Sequence, residues 1–280
     1  MRPPFPYYGG KMTVASRIVD ILPTHQHYVE PFAGSLAVLL AKPASRFETV
    51  NDLHSELMMF WKVLRERPVD LARVCALTPH SRAEYAATTP LETGDELETA
   101  RRVWVKLSQS RSGLFRATGW RYYIDPAGSS SSMPDYLAGY VRRFGAAAER
   151  MHRVSLECRD AFDVIASYGS SPEVCLYVDP PYLGAVRSGG ANYTYEMTAE
   201  SEHITLLESV LRCRSAVVLS GYASELYDTA LTEWSRVEIP TFSGNGADGN
   251  RTEVVWTNRD IASPTLDLQF GTHTTAEMAR

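Results

Sequence analysis

The sequence lacks most features of secreted, metal-organised or membrane-spanning chains. Its four cysteines, Cys75, Cys158, Cys175 and Cys213, lie far apart and form no C-x-x-C pair. That spacing indicates neither a metal site nor a disulfide framework, and a reduced, cytoplasmic setting is the default. No window approaches the ~20 apolar residues of a membrane span. No apolar signal core follows Met1-Arg2-Pro3-Pro4, so no secretory leader is expected. A basic excess is missing too: the net charge of -5 does not advertise a nucleic-acid binder, although a local patch suffices for phosphate contact. No internal repeat is visible. Gly9-Gly10-Lys11 resembles a phosphate cradle, but no earlier glycine completes G-x-x-x-x-G-K-[ST], which excludes an ordinary P-loop. With 280 residues, the chain can hold one large domain or one domain with an insertion.

What is present gathers around Leu176-Tyr177-Val178-Asp179-Pro180-Pro181-Tyr182-Leu183. Val174 to Val178 is continuously apolar and reads as a buried strand. Pro180 and Pro181 have no backbone N–H, so the ladder stops there. A carboxylate, rigid carbonyls and a tyrosine are left at the strand's C-terminal edge, where open α/β sheets bind ligands. Such a cluster suits a flat molecule with an exocyclic amine. Asp179 and the Pro180 carbonyl can each accept one N–H, and Tyr182 can lie against the ring. A proline turn in which Asp179 merely caps the next segment explains the same residues equally well at this point.

The rest of the chain alternates strand and helix twice. Pro3 to Lys11 is extended, with a helix from about Met12 to Leu22. Tyr28-Val29-Glu30 reads as a strand entering Pro31-Phe32-Ala33-Gly34-Ser35, and a helix follows over Leu36–Leu40, the first unit of a nucleotide-binding α/β fold. Phe47 to Val50 is a second strand, ending at Asn51-Asp52. Asp52 lies 18 residues after Gly34, a distance at which a carboxylate can hold both hydroxyls of a ribose; it can equally cap the helix from about Leu53 to Arg65. After a break, Val154 to Cys158, Val174 to Val178 and Ala216 to Ser220 read as strands. Thr198 to Leu211 reads as a helix that Thr198 can cap. Val237 to Phe242 and Glu253 to Thr257 flank the glycine-rich Gly244 to Gly249 and suggest an antiparallel hairpin. Gly184 to Tyr195 reads as a loop able to close over a ligand, and residues 263–280 as a frayed tail.

Between about Pro68 and Met151 the alternation disappears. Leu71 to Leu77, Leu97 to Leu107 and Pro134 to Arg150 read as helices, and Ser129 to Ser132 as a loop tip. From Glu98 to Asp125, Arg101, Arg102, Lys106, Arg111, Arg116 and Arg121 face only those two acids. Arginines grip phosphates or guanine edges, and aromatics such as Trp120 stack on or wedge between bases. A solvated insertion with a small core of its own is the plainer alternative.

Four anchors occur in order: Tyr7-Tyr8-Gly9-Gly10-Lys11, Val29-Glu30-Pro31-Phe32-Ala33-Gly34-Ser35, Asn51-Asp52, and Asp179-Pro180-Pro181-Tyr182. Together they resemble the Dam-type (D12 class, alpha group) DNA adenine N6-methyltransferases through most of the chain, as far as Arg251-Thr252-Glu253. The resemblance implies a mostly parallel, Rossmann-like α/β methyltransferase sheet with a late antiparallel hairpin. It implies a catalytic domain from residues 1–67 and 152–262, interrupted by a mainly helical target-recognition insertion at 68–151. S-adenosylmethionine is the implied methyl donor and adenine in double-stranded DNA the acceptor. The implied cofactor contacts are Tyr7, Lys11, Glu30, Phe32, Gly34, Asp52, Asp160, Phe162 and Asp179. The implied catalytic cluster is Asp179, Pro180 and Tyr182, with no metal. Arg111, Arg116, Trp120, Arg121, Asn192 and Tyr193 are the candidate DNA contacts. One departure stands out: Leu36 occupies a position where the family commonly has glycine. Its side chain either crowds the methionine end of the cofactor or points into helix packing.

The implied mechanism is direct transfer to the amine of an adenine turned out of the duplex, without a covalent enzyme intermediate. Enzymes acting on cytosine N4 or on adenine N6 in RNA present similar edges, and a catalytically silent DNA-binding protein could keep the fold. A solitary enzyme and one paired with a cognate restriction endonuclease read alike in the sequence.

Overall fold

Strand β1 (His27–Glu30) has parallel partners on both sides, β2 (Phe47–Asn51) and β4 (Val174–Val178). A strand so placed is covered on both faces, which is why β4 is apolar without alternation. β3 (Ser155–Glu157) extends the parallel sheet beyond β2, and β5 (Ala216–Gly221) extends it beyond β4. β7 (Arg251–Thr257) then runs antiparallel to β5, and β6 (Ser235–Thr241) antiparallel to β7. The order β3-β2-β1-β4-β5-β7-β6 reverses direction between β1 and β4, so a crevice opens outside their C-terminal ends. These relations come from a computed structural model that describes residues 1–116, 118–124, 131–183, 197–241 and 251–261. Gly184 to Tyr195, Gly244 to Gly249 and the tail at 263–280 lie wholly or almost wholly outside the described residues.

Alternate side chains of each strand feed two cores. Tyr28, Cys175, Tyr177, Val218 and Val255 face one core, while Val29, Leu176, Val178, Leu219 and Val254 face the other. The first core is filled chiefly by α3 (Ser55–Glu66), through Leu57, Phe60, Trp61 and Leu64. α9 (Ala161–Tyr168), α10 (Glu200–Leu211) and α11 (Glu225–Ala230) cover the second. The helix expected at Met12–Leu22 is shorter, Ala15–Val19 (α1), because the chain beyond it tightens into i→i−3 bonds from Ile21 to Ile18 and from Leu22 to Val19. Thr198 does not cap α10. The Glu202 carboxylate instead accepts the Ala199 N–H at 3.0 Å.

The interrupting segment comprises α4 (Pro68–Leu77), α5 (Arg82–Ala86), α6 (Glu96–Gln109), α7 (Met133–Val141) and α8 (Phe144–Met151). It has no small core of its own among the described residues: Leu71, Val103, Trp104, Leu137 and Phe144 join the α3 side of the main core. The single helix expected over Pro134–Arg150 is two. An i→i−3 bond from Arg143 to Tyr140 breaks it, turning Phe144 edge-on against Phe60 and Trp104.

Glu48 on β2 anchors this packing electrostatically. Its buried carboxylate takes Lys42 Nζ at 2.7 Å, the Ser45 N–H at 3.0 Å and both Arg150 Nη atoms at 2.5 and 2.7 Å, tying α8 to the sheet. Burial pushes the Glu48 carboxyl up, but Arg150 and Lys42 outweigh it and hold it below the ordinary range. A carboxyl so depressed stabilises the fold above its unfolded pKa and loses that contribution as pH falls through the lower folded value. Glu48→Ala should cost about 3–5 kcal/mol at pH 7 by urea unfolding, since it strands two buried cations. The gap to wild type should narrow below about pH 4.

Candidate active site

A cavity of about 420 Å³ lies in the crevice outside β1, β2 and β4. All nine residues expected to contact a cofactor line it: Tyr7, Lys11, Glu30, Phe32, Gly34, Asp52, Asp160, Phe162 and Asp179. The four anchors converge because each sits at the C-terminal end of a parallel strand or on the N-terminal strap folded across those ends.

Glu30, the last residue of β1, is fixed before any ligand arrives. Its Oε1 accepts Tyr28 OH at 2.7 Å and the Leu39 N–H at 2.8 Å. Burial pushes its carboxyl up to about 8, against the lowering effect of those two hydrogen bonds. Asp52 follows β2 and clasps the first turn: Oδ2 accepts the Gly34 N–H at 2.9 Å, and Oδ1 accepts the His54 N–H at 3.0 Å. It is therefore not the N-cap of α3, a position held by His54; it forms the turn before it. Each oxygen keeps a lone pair for a further donor. Burial raises the Asp52 carboxyl, partly offset by the His54 and Gly34 amides. Asp160 caps α9 by accepting the Phe162 N–H at 2.7 Å, which brings both residues to the cavity.

The turn is tight. Gly34 has φ +48°, and a Cβ there would stand 3.0 Å from the Tyr7 ring. Leu36 also has φ +55°, just before α2 (Ala37–Ala41). A branched side chain in this left-handed region is strained by about 1–2 kcal/mol. Leu36 is fully buried in the α3-side core and is not part of the cavity wall, so of the two readings the helix-packing one holds.

The Asp179–Tyr182 edge is held by residues from four segments. Lys11 Nζ sits 2.7 Å from Asp179 Oδ1, 2.9 Å from Gly9 O and 3.6 Å from Glu253 Oε1. Burial lowers the Lys11 ammonium, but Asp179 and Glu253 outweigh it and the net direction is up. Ser220 Oγ, at the end of β5, donates to the same Asp179 oxygen at 3.1 Å and shares a 2.9 Å hydrogen bond with Tyr177 OH. Asp179 and Pro181 belong to the cavity wall; Pro180 and Tyr182 lie buried beside it. Tyr182 donates its OH to Glu253 at 2.5 Å, has Lys11 Nζ 4.8 Å from its ring centroid, and meets Tyr222 edge-on at 4.5 Å. Ser220, Tyr222 and Glu253 were not singled out from sequence. Glu253 carried a signal, being a lone acid leading the apolar run Val254-Val255-Trp256.

The expected DNA contacts differ in exposure. Arg111 and Arg116 are exposed, and Arg121 lies half-buried over Tyr136 at 5.4 Å. Trp120 is not a free wedge: it stacks on His80 at 4.2 Å and Tyr122 at 5.8 Å, and donates Nε1–H to Gln109 Oε1 at 3.2 Å. Arg82, missed in the sequence, lies over both Trp120 and Tyr122, and Arg111 over Tyr122. Arg101 and Arg102 are spent on Glu84 and Glu98, and Lys106 is buried against Tyr85, so half of the basic cluster is internal. Asn192 and Tyr193 lie outside the described residues. The Gly113–Phe115 turn reaches the cavity wall directly. Tyr8 donates its N–H to Gly113 O at 3.0 Å, and Phe115 stacks on His54 at 3.9 Å.

Comparison with known proteins agrees with this geometry. The model of the D12 class N6 adenine-specific DNA methyltransferases matches residues 7–241. The chain is 24% identical over 277 residues to the Type II methyltransferase M1.LlaDCHI of Lactococcus lactis subsp. cremoris, covering 92% of this chain and 95% of that one. It is 27% identical over 271 residues to a DNA adenine methylase of Salmonella typhimurium, covering 88% and 90%. Because the family model spans most of the chain, including the cavity and the Asp179 edge, this protein belongs to the D12 class of N6 adenine-specific DNA methyltransferases.

Proposed function

We propose that Asp179, Pro180 and Tyr182 receive the target adenine and that the adjoining cavity holds S-adenosylmethionine, the methyl donor of this family. The observation carrying the assignment is the Asp179 carboxylate: both of its described contacts, Lys11 and Ser220, fall on Oδ1, at the edge of the cavity. Among the described residues no donor reaches Oδ2, which is available to an incoming amine.

The residues present fit the cofactor. Asp52 retains lone pairs for two ribose hydroxyls, Phe32 and Phe162 offer aromatic faces to a purine, and Glu30 offers a carboxylate to an ammonium. Gly10 lets the strap pack closely on itself and on the first turn, since a Cβ there would stand 2.9 Å from Tyr7 O and 3.0 Å from Ser35 Oγ. When bound, S-adenosylmethionine supplies an electrophilic methyl group.

The protein's task is to make an adenine amine nucleophilic and to place it. The N6 lone pair is delocalised into the ring. Hydrogen bonds from its two N–H groups to Asp179 and the Pro180 carbonyl favour a pyramidal nitrogen with a localised lone pair. Lys11 and Ser220 hold the carboxylate beforehand, so little reorganisation is left for the reaction. Turning the base out of a duplex costs a few kcal/mol, and stacking on Tyr182 offsets about 1–3 kcal/mol.

Residues 68–151 serve as the target-recognition segment in this reading. Arg82, Arg111, Arg116 and the half-exposed Tyr122 support that role, and double-stranded DNA is the form such an arginine-flanked face grips. The Type II name of the Lactococcus relative supports a restriction-modification setting with a cognate endonuclease. A cytoplasmic location accords with that setting; no helix of the described residues is long and apolar enough to cross a membrane.

Methylating a random-sequence DNA library and mapping it by single-molecule sequencing should return N6-methyladenine within a defined sequence; modified cytosine would overturn the assignment. Asp179→Ala should lose methyl transfer while unfolding at a urea midpoint close to wild type, and full activity in that variant would remove Asp179 from the mechanism. Glu30 yields a pH-dependent outcome. Its carboxyl titrates near 8, so it is mostly protonated at pH 7, and a cation placed beside it favours the ionised form. S-adenosylmethionine binding at pH 7 should therefore release a proton, and affinity should rise with pH until about 8. Calorimetry in buffers of different ionisation enthalpy reads this directly, and Glu30→Gln should abolish the linkage.

A further inference from the structure

Glu253 is a carboxylate on a strand face that otherwise serves the core. By the two-residue period of β7 it shares a face with Val255, which packs in the α3-side core with Tyr177 and Val218. Burying an acid there is costly, and Glu253 is only 5% exposed. Breaches of local pattern of this kind concentrate at functional sites. Burial raises its carboxyl; Lys11 lowers it and Asp179 adds to the rise.

We propose that Glu253 is a positioning residue for methyl transfer: its carboxylate fixes the Tyr182 phenol, and thereby the plane of the ring that meets the target base. The inference rests on the reading that Asp179 to Tyr182 forms the reactive edge. Three observations carry it. The phenol donates to Glu253 Oε1 at 2.5 Å, whereas Lys11 Nζ stands 3.6 Å from the same oxygen, so the phenol is the nearer partner. β7 is a rigid platform, because its residues Val254 and Val255 pair with Gly221 and Ser220 of β5, and Ser220 itself holds Asp179. Finally, Pro180 and Pro181 restrict the backbone leading into Tyr182, leaving the side-chain torsions as the main freedom of the ring. A ring anchored at its Cα and at its hydroxyl has a defined plane, and Tyr222 supports it edge-on.

A plainer role, neutralising the Lys11 ammonium, makes a different prediction, since it does not involve the phenol hydroxyl. Single-turnover methylation of unmodified random-sequence double-stranded DNA separates the two. Tyr182→Phe and Glu253→Ala should each slow the reaction by about 10–100-fold, the range expected when a reacting group is misplaced. The double variant should be no slower than the slower single one, because both remove one interaction. The KM for S-adenosylmethionine should stay within about two-fold of wild type. Glu253→Gln keeps an acceptor oxygen for the phenol and should recover to within about five-fold of the wild-type rate.

A wild-type rate in Tyr182→Phe would overturn the proposal, as would multiplying effects in the double variant. If circular dichroism shows Glu253→Ala to be unfolded, Tyr182→Phe and Glu253→Gln decide alone. A slow phenylalanine variant beside a near-normal glutamine variant supports the proposal, and the reverse overturns it. Continued methylation by Asp179→Ala would instead sink the underlying reading, whatever the Glu253 variants do.

Discussion

One buried ammonium joins the N-terminal strap to the edge of the central sheet. Lys11 is 5% exposed, and its desolvation is met by Asp179, Glu253 and the Gly9 carbonyl. Removing any one of these partners leaves a buried charge undercompensated, which is why such pairs resist partial change. The strap it fastens carries Tyr7, whose ring packs where a Cβ of Gly34 would be, and Tyr8, whose N–H holds the Gly113 turn. The Asp179 carboxylate, the first glycine turn and the interrupting segment thus depend on the placement of one side chain.

The interrupting segment is consequently not an appendage. Gly113 has φ +63°, and a Cβ there would stand 2.9 Å from Pro6 O, so the turn approaches the strap as closely as only glycine permits. Phe115 then stacks on His54, which lies on the cavity wall beside Asp52. Arg116, next in sequence, is exposed. A contact made by that arginine and a contact made in the cavity are separated by only a few packed rings.

Most of the sheet was legible because parallel strands buried on both faces are apolar without alternation, and because Pro180 and Pro181 mark where β4 ends. The cavity residues were legible for a related reason: strand ends converge in this topology, so motifs distant in sequence meet. What was not legible depended on partners. Trp120 reads as a candidate base contact, and only the fold shows that His80, Tyr122 and Gln109 already engage it. Arg101 and Arg102 count toward the basic stretch in the sequence, but Glu84 and Glu98 take them. Ser220 has no motif of its own, and Glu253 shows only as the acid that closes the resemblance and leads an apolar run. Only the registers β4–β5 and β5–β7 bring them to Asp179 and Tyr182.

Charge is segregated in a way that suits the two ligands of a DNA methyltransferase. Asp52, Asp160, Asp179 and Glu202 line the cavity beside Glu30, whose carboxyl burial raises to about 8, and Lys11 is the one lysine or arginine among the described wall residues. In the proposed reading, such a wall suits a cationic sulfonium donor. It also disfavours phosphate, whereas a neutral base meets no such repulsion. The exposed arginines Arg111 and Arg116 lie on the segment that borders the cavity. Screening confines each field to about 8 Å at physiological salt. An acidic pocket and a basic rim can therefore coexist on one protein of net charge -5 without cancelling, which is why the overall charge gave no hint of a DNA substrate.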